Sequence, residues 1–190
     1  MCCGRTYLSA GLVDQARAEM SRTAAAMAAA MKAGKIIVGL EPSCTLMFRD
    51  EAVNLLPDWD EGQGAQVLTF AEYMLTVDVP TAQGRALVHG HCHQKAMGVG
   101  GTTEAVLNRT GMEASMIDSS CCGMAGPFGY QAETEEVSRA MAELSLAPAV
   151  REAPEDTLVV ADGFSCRCQI KDVTGRGAVS LARALDGMAR

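Results

Sequence analysis

The sequence lacks a basic stripe. Its 16 lysines and arginines are outnumbered by 23 aspartates and glutamates, for a net charge of −7 over 190 residues, which argues against a nucleic-acid or anionic-membrane surface. It also lacks any apolar run near the ~20 residues that cross a bilayer, so no membrane-spanning segment is expected. The N-terminus shows no secretory pattern of charge, apolar core and cleavage site. No GxGxxG fingerprint for a dinucleotide or flavin is present. Nor is there a CxxC at a helix start in the thioredoxin manner, or an identifiable nucleophile–base pair. A core, by contrast, is well supplied: 48% of the residues are hydrophobic and 21% charged, which excludes wholesale disorder.

What the sequence does have is cysteine. Eight are present: Cys2, Cys3, Cys44, Cys92, Cys121, Cys122, Cys166 and Cys168. Disulfide frameworks belong to small secreted domains that cannot build a core, and this chain has ample aliphatic residues. Adjacent cysteines also reach relaxed bridge geometry with each other only rarely. Reduced thiols serving metal or redox chemistry are therefore expected, in a cytoplasmic protein.

Short apolar runs alternate with amphipathic helices. Leu12, Ala16, Met20, Ala24, Met27 and Met31 recur at helical spacing, predicting a core-facing helix over 12–32 that Gly34 stops. Ile36–Val38 reads as a buried strand, and 86–88, 115–117 and 157–161 as further strands. Helices are expected over 102–108, over 133–146 with Val137, Ala140, Met141 and Leu144 inward and Pro148 beyond the end, and over 178–188. The polar stretch Asp58–Gly64 reads as a loop, and 70–75 as a short helix. This alternation implies an α/β fold with mostly parallel sheets covered on both faces, whose ligands gather at the carboxyl ends of the strands.

An internal repeat divides the chain. Cys2-Cys3-Gly4, a helix, a strand and Ser43-Cys44 are echoed by Cys121-Cys122-Gly123, a helix, a strand and Ser165-Cys166. Two lobes are expected, 1–80 and 81–190. The second alone has an upstream thiol, Cys92, so the first is read as truncated at its N-terminus and the chain as a fragment. Five thiols in the second lobe exceed the four that tetrahedral zinc takes. They suit a polynuclear iron–sulfur centre, with Gly123, Gly126 and Gly129 letting backbone approach its sulfurs.

The two CCG triplets resemble the cysteine-rich CCG domain of heterodisulfide reductases, glycolate oxidase iron–sulfur subunits and lactate-utilisation iron–sulfur proteins. The stretches GLEPSC, HGHCHQKA, SSCCGMAGPFGY and ADGFSCRCQI are more closely similar to the C-terminal iron–sulfur region of FAD-linked 2-hydroxy-acid oxidases. The resemblance covers Cys2 to about Arg183. It implies a Rossmann-like sheet in each lobe and a [4Fe–4S] cluster, of a non-cubane type in some members. Carried over, Cys92, Cys121, Cys122 and Cys166 match the family's ligand positions. Cys168 departs from the terminal pattern of CxxC or a His at that place, and stands as an extra ligand. Cys2, Cys3 and Cys44 form a partial first site.

The three histidines lie within five residues. His91 and His93 are assigned supporting hydrogen bonds toward the cluster, and His89 a packing or surface role. Lys95 is read as a solvated lysine able to offset cluster charge. Glu41 and Asp162, before the two Ser-Cys pairs, are read as loop caps. The function that follows is electron transfer. A flavin (FAD) in a partner domain or subunit takes hydride from a lactate- or glycolate-type acid, and the cluster relays electrons to an acceptor. Peripheral placement at the inner membrane face is compatible with that role, and an aerobic sample is expected to hold zinc or nothing. The alternative is a zinc-binding structural or docking module built on the same cysteines.

Overall fold

A computed structural model describes residues 1–188; the last two residues of the expected second lobe lie outside the described residues. The chain folds as two compact units, Met1–Phe70 and a second beginning at Ala71. Every strand pairing in both units is parallel, and the fold is α/β. No helix among the described residues is long and apolar enough to cross a membrane.

In the first unit the CCG turn leads into α1 (Arg5–Ser9) and then α2 (Val13–Lys32). Ala16, Met20 and Ala24 are buried, and Met27 and Met31 pack against the same cluster. Leu12, expected inward, is 44% exposed, because it is the non-helical cap residue of α2 with ψ 67°. The helix ends as predicted at Gly34, which adopts φ 73°. Its N–H bonds to the Met31 carbonyl and that of Lys35 to Ala30, the paired closure of a Schellman motif. β1 (Ile37–Gly39) pairs with β2 (Val67–Thr69). β1 is half-buried and Ile36 64% exposed, rather than a buried strand, since this sheet has only two strands. Between them run α3 (Pro42–Leu46), α4 (Glu51–Leu55) and α5 (Glu61–Gly64). The last replaces the expected polar loop: Asp60 and Gln63 form a reciprocal capping box, which lets even EGQG hold one turn. Phe48 and Trp59 meet edge to face, with Trp59 Nε1 donating to the Phe48 carbonyl at 2.7 Å.

α6 (Phe70–Met74) spans the division. Beyond it come β3 (Arg85–Val88), α7 (Cys92–Ala96), α8 (Thr102–Thr110) and β4 (Glu113–Met116). A single 3-10 turn at Phe128–Tyr130 precedes α9 (Glu135–Glu143) and α10 (Leu146–Glu152). β5 (Leu158–Val160), α11 (Phe164–Thr174) and α12 (Leu181–Met188) complete the unit. The sheet order is β4-β3-β5, so the segments following all three strands leave from one edge.

Three expectations change here. The helix expected over 133–146 is two helices, and Pro148 sits in the first turn of the second, where a missing N–H costs nothing. The inward residues of α9 are Ser138 and Ala142, whereas Val137 and Leu144 are 53% and 78% exposed. The buried face of α9 lies against the backbone at Gly123, and only small side chains fit there. Finally, residues 178–180 are not helical: Val179 bridges to Val160 in parallel, extending the pairing beyond β5 before α12 begins.

Candidate metal centre

The CCG turn is built the same way twice. Gly4 and Gly123 take φ 88° and 93°, a region costly for any residue with a Cβ. A Cβ on Gly4 would lie 2.7 Å from the Ala16 carbonyl oxygen, and one on Gly123 would collide harder with that of Ser138. The glycine N–H points back to the first cysteine of each pair: Gly4 to Cys2 Sγ at 3.4 Å, Gly123 to Cys121 Sγ at 3.3 Å. Ser138 returns the contact by donating from Oγ to the Gly123 carbonyl at 2.8 Å. The downstream cysteines also correspond: Cys44 and Cys166 are each the third residue of a helix, α3 and α11. The residues that cap these helices are Glu41 and Gly163, so Glu41 corresponds to Gly163 and not to Asp162.

In the first unit, Cys3 and Cys44 meet at 2.9 Å between sulfurs, and Cys2 is exposed. The hydrogen bond from Cys44 lowers the Cys3 thiol from about 9 to about 6 against the opposing effect of burial, with help from the Arg5 backbone. Cys44, holding the shared proton next to that thiolate, is raised. Arg5 is itself braced by Glu51 at 2.5 Å and the Ser43 carbonyl at 3.3 Å. Ser43 donates to the Glu41 carboxylate at 3.0 Å; Glu41 occupies the N-cap position of α3, but its side chain makes no capping hydrogen bond to the helix backbone.

In the second unit the thiols form a row. The Cys121 thiol contacts those of Cys92 and Cys122, and Cys122 contacts Cys166. Cys92 is the first residue of α7, Cys121 and Cys122 follow β4, and Cys166 lies in the first turn of α11. Burial rises along the row, from exposed Cys92 through half-buried Cys121 to Cys122 and Cys166 at 4% and 3% exposure. Their acidities alternate. Cys121 is lowered by hydrogen bonds from Cys122 and Cys92, and Cys166 by that from Cys122, with His89 assisting. Cys92 and Cys122 are raised by the thiolates beside them and by burial. Adjacent sulfurs thus share protons, and a cation that displaces those protons would bind four thiolates.

The three histidines take different places. His89 is 1% exposed and no surface residue; its Nδ1 lies 2.9 Å from Ser119 Oγ. One donor atom each from His89, Cys122 and Cys166 lie within 4.8 Å of one another. Backbone placement explains this: His89 directly follows β3, and its N–H bonds to the Val160 carbonyl at 2.9 Å. β3 is the central strand of its sheet, so a residue at its carboxyl end is enclosed on both sides, which the sequence alone did not signal.

His91 caps α7: its Nδ1 accepts from the His93 N–H while Gln94 Oε1 accepts from the His91 N–H. Its ring lies over Gly163, where a Cβ would come within 2.5 Å of Cδ2. His93 is the second residue of α7. Lys95 is not a solvated lysine; its Nζ donates to the Ser119 and Ser120 carbonyls, pinning the segment before Cys121. Asp162, 8% exposed, accepts from Thr103 Oγ1 at 2.7 Å and from the Leu181 N–H at 2.8 Å. It thereby ties α8 to the start of α12. Cys168 lies two positions beyond Cys166 in α11, about 200° further round the helix, beside Tyr130.

The comparisons agree with this geometry. The family model of the CCG cysteine-rich domain matches residues 1–49 and 86–171, the two stretches that carry the thiols. A D-2-hydroxyglutarate dehydrogenase from Pantoea ananatis is 30% identical over 92% of the chain, which spans 17% of that protein. An anaerobic glycerol-3-phosphate dehydrogenase subunit from Escherichia coli K12 is 27% identical over 90% of the chain and 45% of its own length. Lactate utilization protein A of Bacillus velezensis is 27% identical over 93% of the chain and 75% of its own length. The chain thus spans a minor part of the first two relatives. A duplicated glycine-locked cysteine turn, each followed by a cysteine in a helix's first turn, coincides with the matched segments, and the chain belongs to the CCG cysteine-rich domain family.

Proposed function

We propose that this chain is an iron–sulfur electron-transfer domain of an FAD-linked oxidoreductase acting on 2-hydroxy acids. The observation that carries this is the row of four thiols at one sheet edge in the second unit. Its donor set, soft sulfur throughout, suits iron–sulfur ligation. Cys92, Cys121, Cys122 and Cys166 would hold a [4Fe–4S] centre, Cys168, on another side of α11 beside Tyr130, is left out of it, and Cys2, Cys3 and Cys44 would form a partial first site. Two relatives, a D-2-hydroxyglutarate dehydrogenase and a lactate utilization protein, bear the names of 2-hydroxy acids, which supports the substrate class.

When bound, the cluster supplies one-electron redox capacity. The chain's own part is to surrender the thiol protons shared along the row and to bury the inner sulfurs from water. Lys95 and Ser138 hold the Cys121–Gly123 turn in place. His91 keeps α7 capped beneath Cys92, and the neighbouring His93 is assigned a hydrogen bond in support of the centre. The flavin belongs to a partner domain or subunit, from which electrons pass through this chain to an acceptor in a cytoplasmic setting.

Anaerobic reconstitution with iron and sulfide tests this. Stoichiometric iron and acid-labile sulfide with a redox-dependent EPR signal is the expected result. Stoichiometric zinc uptake with no iron overturns it in favour of a structural zinc module. The flavin-free chain is expected not to oxidise lactate, glycolate or 2-hydroxyglutarate with a dye acceptor.

A further inference from the structure

The row of sulfurs does not end at Cys166. His89 lies at its buried end, held at two points. Its backbone N–H continues the sheet pairing to Val160. Its Nδ1 is paired with Ser119 Oγ at 2.9 Å. The Ser119 carbonyl in turn is gripped by Lys95. The ring therefore has little freedom to turn, and the remaining nitrogen, Nε2, is buried without a hydrogen-bond partner. A histidine present only for packing would leave that polar atom at a loss, since buried polar groups are almost always satisfied. A metal-bound histidine shows the pattern seen here: one nitrogen fixed by a hydrogen bond, the other offering its lone pair.

The sulfurs beside the ring complete the case. A nitrogen of this ring and the Cys122 and Cys166 sulfurs lie mutually within 4.8 Å. Donors around one metal, at bonds of ~2.0–2.3 Å, lie about 3.5 Å apart, so a small contraction brings these three together. Gly163 leaves room for it, because a Cβ there would stand 3.0 Å from Cys166 Sγ.

We propose that His89 Nε2 is a direct ligand of the metal centre, binding with Cys122 and Cys166 on its buried side. The inference rests on the reading of this sheet edge as a metal centre and gives it a mixed sulfur and imidazole donor set. Four cysteines already supply one donor per iron of a four-iron cluster. A fifth donor therefore gives one iron two protein ligands, a departure from a plain cubane. Imidazole is neutral where thiolate is anionic, so a fifth ligand of this kind leaves the cluster at a higher reduction potential than a fifth cysteine would.

The test uses the full 190-residue chain, reconstituted anaerobically with iron and sulfide and studied by pulsed EPR in its paramagnetic state. The expected result is a strong coupling to a directly bonded nitrogen that changes on 15N labelling of histidine. It is retained in His91→Gln and His93→Gln and lost in His89→Gln. Because His89 is buried, folding of each variant is checked by circular dichroism. His89→Cys provides the rescue: it takes up as much iron as the wild type, without nitrogen coupling and at a more negative midpoint potential. An iron-loaded wild type with no bonded nitrogen, or a coupling that survives His89→Gln, overturns the assignment. A wild type that takes up no iron overturns the iron–sulfur reading instead. Cobalt(II) then decides the ligand: d–d bands that shift in His89→Gln support it, and bands unchanged in that variant overturn it.

Discussion

The two CCG turns share a scaffold but differ in what they gather. In each, a glycine at positive φ presses on a helix backbone, at Ala16 or Ser138, and a cysteine waits in the first turn of a later helix. In the first unit that brings together one close pair, Cys3 and Cys44 at 2.9 Å. In the second it brings together a row of four thiols ending at His89. The difference comes from β3 and the segment after it, which supply His89 and Cys92. The glycine-locked turn is thus a way of presenting sulfur, and the number of donors depends on the neighbouring strand.

Removing one central sulfur should separate the units most sharply. Cys122→Ser is expected to lower iron uptake more than about tenfold after anaerobic reconstitution, because it removes a buried thiolate ligand, whereas Cys3→Ser leaves the second-unit signal unchanged. Iron analysis and EPR check both.

The pair in the first unit offers the next largest effect. Cys44→Ala removes the hydrogen bond that lowers Cys3, so the alkylation midpoint should move from about pH 6 toward about 9. At pH 6 this cuts the reactive thiolate by roughly a hundredfold or more. The sign for stability follows from the same shift. The Cys3 contribution is complete above pH 9, declines as pH falls and is gone below about 6. Cys44, raised, acts in the opposite sense once the unfolded thiol ionises above 9. Urea titrations of the metal-free chain across about pH 5–8 should therefore show first-unit stability rising with pH, and Cys44→Ala should flatten that rise.

Glycine substitution probes what the turns have in common. Gly123→Ala and Gly4→Ala are each expected to cost about 2–4 kcal/mol, combining backbone strain with overpacking. Gly123 should be the worse because its approach to the helix is tighter. Chemical denaturation measures both. Smallest is the contrast between corresponding positions two residues before Pro42 and Phe164. Asp162→Ala should cost about 1–3 kcal/mol, since the Leu181 N–H and Thr103 lose their acceptor. Leu40→Ala, at a side chain 63% exposed, should stay within about 0.5 kcal/mol.

Much of this was legible in the sequence where the signal was local. Apolar spacing located α2 to within a residue at its start, and Gly34 marked its end, because periodicity and a left-handed stop act within a few residues. The repeated CCG and Ser-Cys spacings located both turns. The sequence was misleading where a distant backbone decided the packing. The apolar side chains of α9 read as its inner face, yet Ser138 lies inside because Gly123 comes too close for anything larger. The helices that begin at Cys92, Pro42 and Phe164 were not anticipated, since each starts directly at its cysteine-bearing segment. His89 looked incidental because nothing in HGHCH distinguishes its three rings; being enclosed at the end of a central strand does.

The gradient of burial along the sulfur row has a kinetic meaning. With a cluster seated as proposed, chelators and oxidants arriving from solvent meet Cys92 first and Cys166 last. The exposed Cys92 would therefore be the first ligand to let go and the last to be regained, while the buried sulfurs keep their hold. The buried thiols of Cys122 and Cys166 would then be the part of the site that fixes the centre's position.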